Sequence, residues 1–158
     1  MLFCCLFAAA SPAAPQVRYP QRPDTLRPGA NVAHRDGSGR YAGSSQKNGN
    51  RIIHRDASGR VSGSSQQNGK NIIHRDGSGR YAGSSQQNGN RVIHRDASGR
   101  VSGTETRNGN NIIYRDSSGR YTGSATISGN RVIYRDASGR VTGSSTISAN
   151  GIIKQPRK

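Results

Sequence analysis

The sequence predicts an all-β protein built from six tandem repeats of twenty residues each. Three observations support this prediction: a strict period, two turn signals in every unit, and short β-prone segments between the turns. No insertion or deletion interrupts the register from the first unit to the last. A disordered chain has no physical need for such constancy, whereas a stacked array does. The units begin at His34, His54, His74, His94, Tyr114 and Tyr134.

Two turn signals alternate about ten residues apart, which is the spacing of short strands joined by hairpins. One is Asp-x-Ser-Gly-Arg, as in residues 56–60, and the other is Asn-Gly-Asn, as in residues 88–90. Asn-Gly favours a tight hairpin because both central residues accept a positive φ. Unit five replaces this signal with Ser-Gly-Asn at 128–130, and unit six shifts the glycine to Gly151, which predicts a terminal cap.

The segments between the turns predict two short strands in each unit. In residues 120–127, alternation places Tyr121, Gly123, Ala125 and Ile127 on one face. The position of Tyr121 alternates between Tyr and Val from unit to unit, so we expect rings and branched side chains to interdigitate in a thin core. Helical periodicity is absent and glycine is frequent, so helix content should be close to nil.

Two layouts satisfy this pattern: an antiparallel meander of stacked hairpins, and a β-solenoid with two strands per coil. A solenoid stacks equivalent residues about 4.8 Å apart, which would place Arg35, Arg55 and Arg75 in one like-charge ladder. A meander separates equivalent residues by two strands and relaxes that repulsion. Together with the hairpin turns, this favours the meander.

The chain divides into four segments: residues 1–10, 11–33, 34–153 and 154–158. The first is an apolar run too short to span a bilayer, so no transmembrane helix is expected. It fits a signal peptide, although a positive n-region is missing, and predicts a secreted, periplasmic or cell-surface protein. A proline-rich linker follows, then the repeat array and a basic tail. Both cysteines, Cys4 and Cys5, lie in the signal, so a mature chain would hold no thiol.

The pattern of residues 134–143, aromatic-Arg-Asp-x-Ser-Gly-Arg-x-x-Gly, resembles a repeat of uncharacterised exported bacterial proteins. It is more distantly similar to the YD repeats of the Rhs family and to the hairpin-forming MORN-like repeats. The resemblance covers residues 34–153 and implies stacked β-hairpins and a bacterial cell-surface role. This chain departs from the YD pattern by an Arg between aromatic and Asp, by His in four units and by its small repeat number. No catalytic residue carries over.

The repeat offers no recognisable catalytic or cofactor motif, and we predict that the protein is not an enzyme and binds no cofactor or metal. The glycines of residues 37–43 match neither a dinucleotide-binding loop nor a serine-nucleophile elbow, because the spacing fails and no helix follows. Four of the six units open with His and the last two with Tyr. That exchange favours ring packing at a sheet edge, with a metal or pH-sensing site as the less favoured alternative.

Two charged positions recur in every unit. The aspartates precede Ser-Gly, where a carboxylate can accept backbone N–H groups and shape a turn. These are Asp36, Asp56, Asp76, Asp96, Asp116 and Asp136. Paired arginines flank each turn, in part to form an ion pair with the local Asp, and they are the predicted polyanion-binding residues. They are Arg35, Arg40, Arg55, Arg60, Arg75, Arg80, Arg95, Arg100, Arg115, Arg120, Arg135 and Arg140.

The charge of the chain is strongly positive, with 24 Lys and Arg against 8 Asp and Glu and a formal net charge of +16. The surplus is spread along the array, so a range of polyanions would be attracted. We therefore expect a non-catalytic module that binds an anionic glycan, lipopolysaccharide or another envelope polyanion. The alternative is a structural spacer without a ligand. Non-specific nucleic-acid binding ranks third, because few aromatic residues are present for base stacking.

Overall fold

The computed structural model describes residues 29–148, which form twelve β-strands and no helix. Each repeat period contributes one strand of five or six residues and one of seven or eight. The strands are β1 (Asn31–Asp36), β2 (Tyr41–Asn48), β3 (Arg51–Arg55), β4 (Val61–Asn68), β5 (Asn71–Asp76), β6 (Tyr81–Asn88), β7 (Arg91–Arg95), β8 (Val101–Asn108), β9 (Asn111–Asp116), β10 (Tyr121–Ser128), β11 (Arg131–Asp136) and β12 (Val141–Ile147).

The strands form one antiparallel meander that closes on itself as a barrel. Each strand pairs with its neighbours in sequence, and β1 pairs with β12 from Val32↔Ile147 to Asp36↔Gly143. The predicted meander is confirmed, and the solenoid alternative is wrong, because consecutive strands pair antiparallel within hairpins. Closure was not predicted from the repeat. It satisfies the backbone groups that the two edge strands of an open meander would expose.

The register advances by the same amount at every hairpin. Ser45 lies opposite His54, and His54 lies opposite Gly63. Gly63 is two residues before Ser65, the equivalent of Ser45 in the next unit, so the register shifts by two residues for each pair of strands. The closing pair follows the same rule, since Ser145 lies opposite His34. Equivalent residues of the six units therefore lie at one height along the barrel axis.

Uniform register gives the barrel two chemically different ends. The six Asp-x-Ser-Gly-Arg turns all lie at one end, and together with the arginine before each Asp we call them the arginine rim (residues 35–40, 55–60, 75–80, 95–100, 115–120 and 135–140). The five Asn-Gly or Ser-Gly turns lie at the other end, which we call the asparagine rim (residues 48–51, 68–71, 88–91, 108–111 and 128–131). Gly29 and Ser148, where the described residues begin and end, also lie at the asparagine rim.

A β-bulge next to the arginine rim reverses one predicted side-chain orientation. Gly123 lies opposite Tyr114 and Tyr121 opposite Arg115, so Thr122 is an extra residue in β10. Without the bulge Tyr121 would share the buried face of Gly123 and Ala125, as the alternation predicted. Because the extra residue shifts the parity, Tyr121 is 42% exposed. The predicted interdigitation of rings and branched side chains in the core is wrong for the same reason. The shift recurs in all six units.

The apolar core is thin and consists of small clusters inside the barrel. Val32, Ile52 and Ile147 form one cluster with Ala30. Ile112, Ala125, Val132 and Tyr134 form another. Much of the remaining buried side-chain surface is polar and belongs to His and Ser.

The described residues leave part of the predicted domain division without structural information. Strand β1 begins at Asn31, within the range 11–33 that was assigned to the linker. The predicted signal peptide, most of the linker, the end of unit six and the basic tail lie outside the described residues. Within residues 29–148, no helix is long and apolar enough to cross a membrane.

Candidate functional site

Each turn of the arginine rim is organised around one aspartate. In the first turn, Oδ1 of Asp36 accepts three hydrogen bonds: from the backbone N–H of Ser38 (2.9 Å), the hydroxyl of Ser38 (2.7 Å) and the backbone N–H of Arg40 (2.9 Å). The backbone N–H of Asp36 donates to the carbonyl of Arg40 (2.9 Å) and closes the loop. Gly39 has φ of 84°, a conformation that glycine adopts without strain. The other five turns repeat this arrangement.

These contacts hold the aspartate charges inside the turns. The hydroxyl of Ser38 and the backbone N–H of Arg40 lower the pKa of Asp36 below its usual value. The guanidinium of Arg40 adds a smaller attraction in the same direction, and no Arg–Asp ion pair within 4.0 Å occurs among residues 29–148. The expected close ion pair is therefore replaced by hydrogen bonds from hydroxyl and backbone.

The first arginine of each pair braces the turn. Nη1 of Arg35 donates to the carbonyl of Gly39 at 2.9 Å, across the mouth of the turn. A hydrogen bond from a charged donor is stronger than a neutral one, so this contact both fixes the side chain and stiffens the turn. The equivalent donors are Arg55, Arg75, Arg95, Arg115 and Arg135.

The second arginine of each pair contributes its backbone to the turn and leaves its side chain in solvent. Arg40 donates its N–H to Asp36 and accepts at its carbonyl, while the residue as a whole is exposed. The same holds for Arg60, Arg80, Arg100, Arg120 and Arg140. The arginine rim thus brings together all twelve arginines that the sequence singled out, against six aspartates. What such an arrangement can do is attract and hold anions.

A ring of exposed apolar side chains encircles the barrel just below the arginine rim. We call it the Tyr/Val belt, and it was missed in the sequence because the bulge was not foreseen. Each member lies opposite the first arginine of a turn in the register, as Tyr41 lies opposite Arg35. Its members are Tyr41, Val61, Tyr81, Val101, Tyr121 and Val141, each between 38% and 46% exposed. They are the exposed large hydrophobic side chains of residues 29–148.

The histidines lie inside the barrel, where serine hydroxyls link them into a chain. Ser45 bridges Nε2 of His34 (2.9 Å) and Nδ1 of His54 (2.8 Å). Ser65 bridges His54 and His74 in the same way, at 2.9 Å on each side. Ser85 bridges His74 and His94, at 2.7 Å on each side. The predicted packing at a sheet edge is wrong, because closure leaves no edge and the ring position faces inward.

The His–Ser chain runs from Tyr134 to His94. Tyr134 contacts Ser145 at 2.9 Å, and Ser145 contacts Nδ1 of His34 at 2.8 Å. Burial raises the pKa of Tyr134, so its hydroxyl stays protonated, and either oxygen of the Tyr134–Ser145 pair can be the donor. At the other end, Oε2 of Glu105 lies 4.0 Å from Nε2 of His94, which is longer than a hydrogen bond. If all four rings share one tautomer, every hydrogen bond from Ser145 to His94 runs in the same direction.

The interior favours neutral imidazole, and its geometry does not assemble metal ligands. Burial lowers the pKa of His34 to about 4. Within residues 29–148, no group of three or more His, Cys, Asp or Glu side chains is placed to hold a metal ion. A serine stands between each pair of consecutive histidines, so both ring nitrogens of His34, His54 and His74 are engaged by hydroxyls.

Comparison with known proteins identifies the fold and no family. No family model matches the chain, and no curated protein matches it. Nine chains of solved structures match. One is an X-ray structure of a protein from Arabidopsis thaliana, with a TM-score of 0.51 and 8% sequence identity over 79% of this chain and 84% of that one. At that identity the likeness concerns the fold alone.

Proposed function

We propose that this protein is a non-catalytic, basic module of the cell envelope or exterior that binds anionic surfaces or polyanionic partners. The observation that carries the proposal is the arginine rim: twelve arginines at one end of the barrel, with the six local carboxylates already engaged by turn hydrogen bonds. Because no close ion pair within residues 29–148 neutralises these guanidinium groups, their field extends into solvent.

The export part of the proposal rests on the apolar run at residues 2–10 and on the resemblance to exported bacterial repeat proteins. Lipopolysaccharide, acidic glycans and other envelope polyanions are the ligands that an exported basic protein would meet. Nucleic acid is less favoured, because tyrosines that could stack on bases are few and widely spaced.

The test is binding of the full chain to lipopolysaccharide and to an acidic glycan over a series of salt concentrations. One variant carries Arg40→Gln, Arg60→Gln, Arg80→Gln and Arg100→Gln, where the backbone rather than the side chain holds the turn. The control variant carries Arg51→Gln, Lys70→Gln, Arg91→Gln and Arg131→Gln at the asparagine rim. Both lose the same charge, so a difference between them reports position and not net charge.

We expect the first variant to bind much more weakly than the control. Its log–log salt dependence should fall by about 0.7 to 0.9 for each arginine contact removed, as for polyanions of high charge density. Equal loss in both variants would indicate diffuse attraction and remove the arginine rim as the site. A chain that binds neither ligand at low salt would support the alternative function, a structural spacer whose charge serves solubility.

A further inference from the structure

We infer that the arginine rim and the Tyr/Val belt together form an end-on docking surface for a bilayer that carries anionic phospholipid headgroups. This inference rests on the proposed function and names the class of anionic surface that the same site would bind. Three properties of the site support it: the site is planar, it combines charge with exposed rings, and it differs in this combination from the asparagine rim.

Planarity follows from the register. Because every hairpin advances by two residues and the closing pair obeys the same rule, the six turns lie at one height. Twelve strands about 4.8 Å apart and tilted by about 40° give a ring about 24 Å across. A flat surface touches all six turns at once. A linear polyanion crosses such a ring along a chord and reaches only the turns beneath it.

The composition of the site matches a membrane interface. Arginines carry the charge that anionic headgroups attract, at about fivefold in affinity for each residue near the surface. Directly below them, Tyr41, Tyr81 and Tyr121 expose 42–45% of their surface on the outer wall. Tyrosine has an apolar ring and a polar hydroxyl, a combination that is stable at the boundary between headgroups and acyl chains. The three valines between them add apolar area at the same depth.

The asparagine rim is a basic end of the barrel without exposed apolar rings, so comparison with it separates the effect of charge from that of charge and rings together. It also carries basic residues, among them Arg51, Lys70, Arg91 and Arg131. The exposed large hydrophobic side chains of residues 29–148 all lie at the other end of the barrel. Charge alone would therefore not select an end, whereas charge together with apolar rings selects the arginine rim.

The experiment measures binding of the full chain to vesicles of phosphatidylcholine alone and to vesicles of equal parts phosphatidylcholine and phosphatidylglycerol. Linear DNA and heparin are the polyanion arms, and inorganic phosphate is a competitor. We expect sedimentation with the phosphatidylglycerol vesicles only. Substitution of all three belt tyrosines by serine should reduce that binding about tenfold or more, whereas the corresponding Tyr→Phe variant should stay within about threefold. Neither should change heparin binding.

A fluorescent reporter locates the contact. The chain has no tryptophan, so one introduced indole reports its own environment. The emission of Tyr81→Trp should shift to shorter wavelength on phosphatidylglycerol vesicles. That of Gln86→Trp, at an exposed position far from the arginine rim, should not shift. Binding to heparin or DNA without vesicle binding would overturn the bilayer inference and leave the proposed function standing. Binding to no anionic partner would overturn both. Equal shifts of the two indoles would overturn end-on docking.

Discussion

The carboxylate of Glu105 lies 4.0 Å from Nε2 of His94, at the position that a serine hydroxyl fills beside each of the three preceding histidines. Glu105 is buried, with 3% of its surface exposed, between Val92 and Tyr114 in the register. The fourth unit thus replaces a neutral bridge with an ionisable group. Because 4.0 Å is longer than a hydrogen bond, the chain of His–Ser hydrogen bonds ends at His94.

The first prediction concerns Glu105, which stands where units one to three carry serine. Glu105→Ser restores the residue found in units one to three and should place a hydroxyl within hydrogen-bond distance of Nε2 of His94, as Ser85 does for His74. Glu105→Ala supplies no such hydroxyl to this buried nitrogen, a difference of roughly 1–3 kcal/mol. We expect Glu105→Ala to be less stable than Glu105→Ser by about that amount in urea unfolding. If the alanine variant is as stable as the serine variant, the polar contact to His94 does not stabilise the barrel.

The second prediction compares a bridging serine with the adjacent serine on the opposite face of the same strand. The hydroxyl of Ser85 lies 2.7 Å from ring nitrogens of both His74 and His94 inside the barrel. Ser84, the adjacent residue, is half-buried, and alternation along β6 places it on the face opposite to Ser85. Ser85→Ala leaves two buried nitrogens without this partner and should lower the free energy of unfolding by roughly 1–3 kcal/mol or more. Ser84→Ala should change it by less than about 0.5 kcal/mol.

Thermal unfolding followed by circular dichroism measures both serine variants. Similar losses in Ser84→Ala and Ser85→Ala would mean that strand propensity, and not the bridge, sets the effect. An additional readout is the imidazole nitrogen chemical shifts of His74 and His94. These should change in Ser85→Ala and stay constant in Ser84→Ala, because only Ser85 contacts the rings.

The sequence was sufficient to predict the strands and turns and insufficient for the barrel interior. The period and the turn residues place the hairpins, because Asn-Gly and Asp-x-Ser-Gly-Arg act locally. Two features that the local turn signals do not encode, closure and the β-bulge, determine which side chains face the interior. Closure requires that β1 meet β12, and no local signal encodes that pairing. The bulge at Thr122 reverses parity, so Tyr121 was assigned to the core and lies outside. The His-to-Tyr exchange did indicate a ring site, and its serine partners eleven residues later were a signal that could have been recognised.

The third prediction is a loss of stability in mild acid. The pKa of His34 falls to about 4 in the folded chain from about 6.5 unfolded, so the folded state resists protonation. The contribution of His34 to stability is fully present above about pH 6.5 and is lost as the pH falls towards 4, by roughly 3 kcal/mol in total. The pKa values of Asp36 and its equivalents lie below their usual value, so their contribution is lost only at still lower pH.

Urea unfolding at about pH 7 and about pH 4.5 measures this dependence. His34→Tyr is the matched variant, because Tyr134 at the equivalent position reaches Ser145 with its hydroxyl. Tyrosine does not titrate in this range, so the variant should lose less stability on acidification than the parent chain. An equal slope in the two chains would show that His34 is not the group that couples folding to pH.

The fourth prediction contrasts two glycines of one unit. A Cβ added at Gly63 would lie 2.6 Å from the carbonyl oxygen of Arg75 on the neighbouring strand, and backbone cannot move aside cheaply. At Gly69, φ is +58° and no heavy atom lies within 4 Å, so a side chain there meets only conformational strain. We expect Gly63→Ala to cost roughly 1–3 kcal/mol or more. Gly69→Asn should cost only a few tenths of a kcal/mol, because Asn tolerates this conformation. A Gly63→Ala variant that loses little stability would contradict the close approach of β4 and β5 at this position.

The last prediction concerns the number of repeats. Deletion of residues 54–93 removes two units and joins Ile53 to His94, which preserves the strand sequence and the Tyr/Val alternation. Each remaining hairpin still advances by two residues, so eight strands can close with proportionate stagger, and eight strands are enough for a barrel filled by side chains. We expect a monomer with cooperative β unfolding. Truncation after Arg140 removes β12 and exposes the edges of β1 and β11, which should cause aggregation. If the internal deletion aggregates as the truncation does, closure depends on all six repeats and the interior cannot repack around fewer.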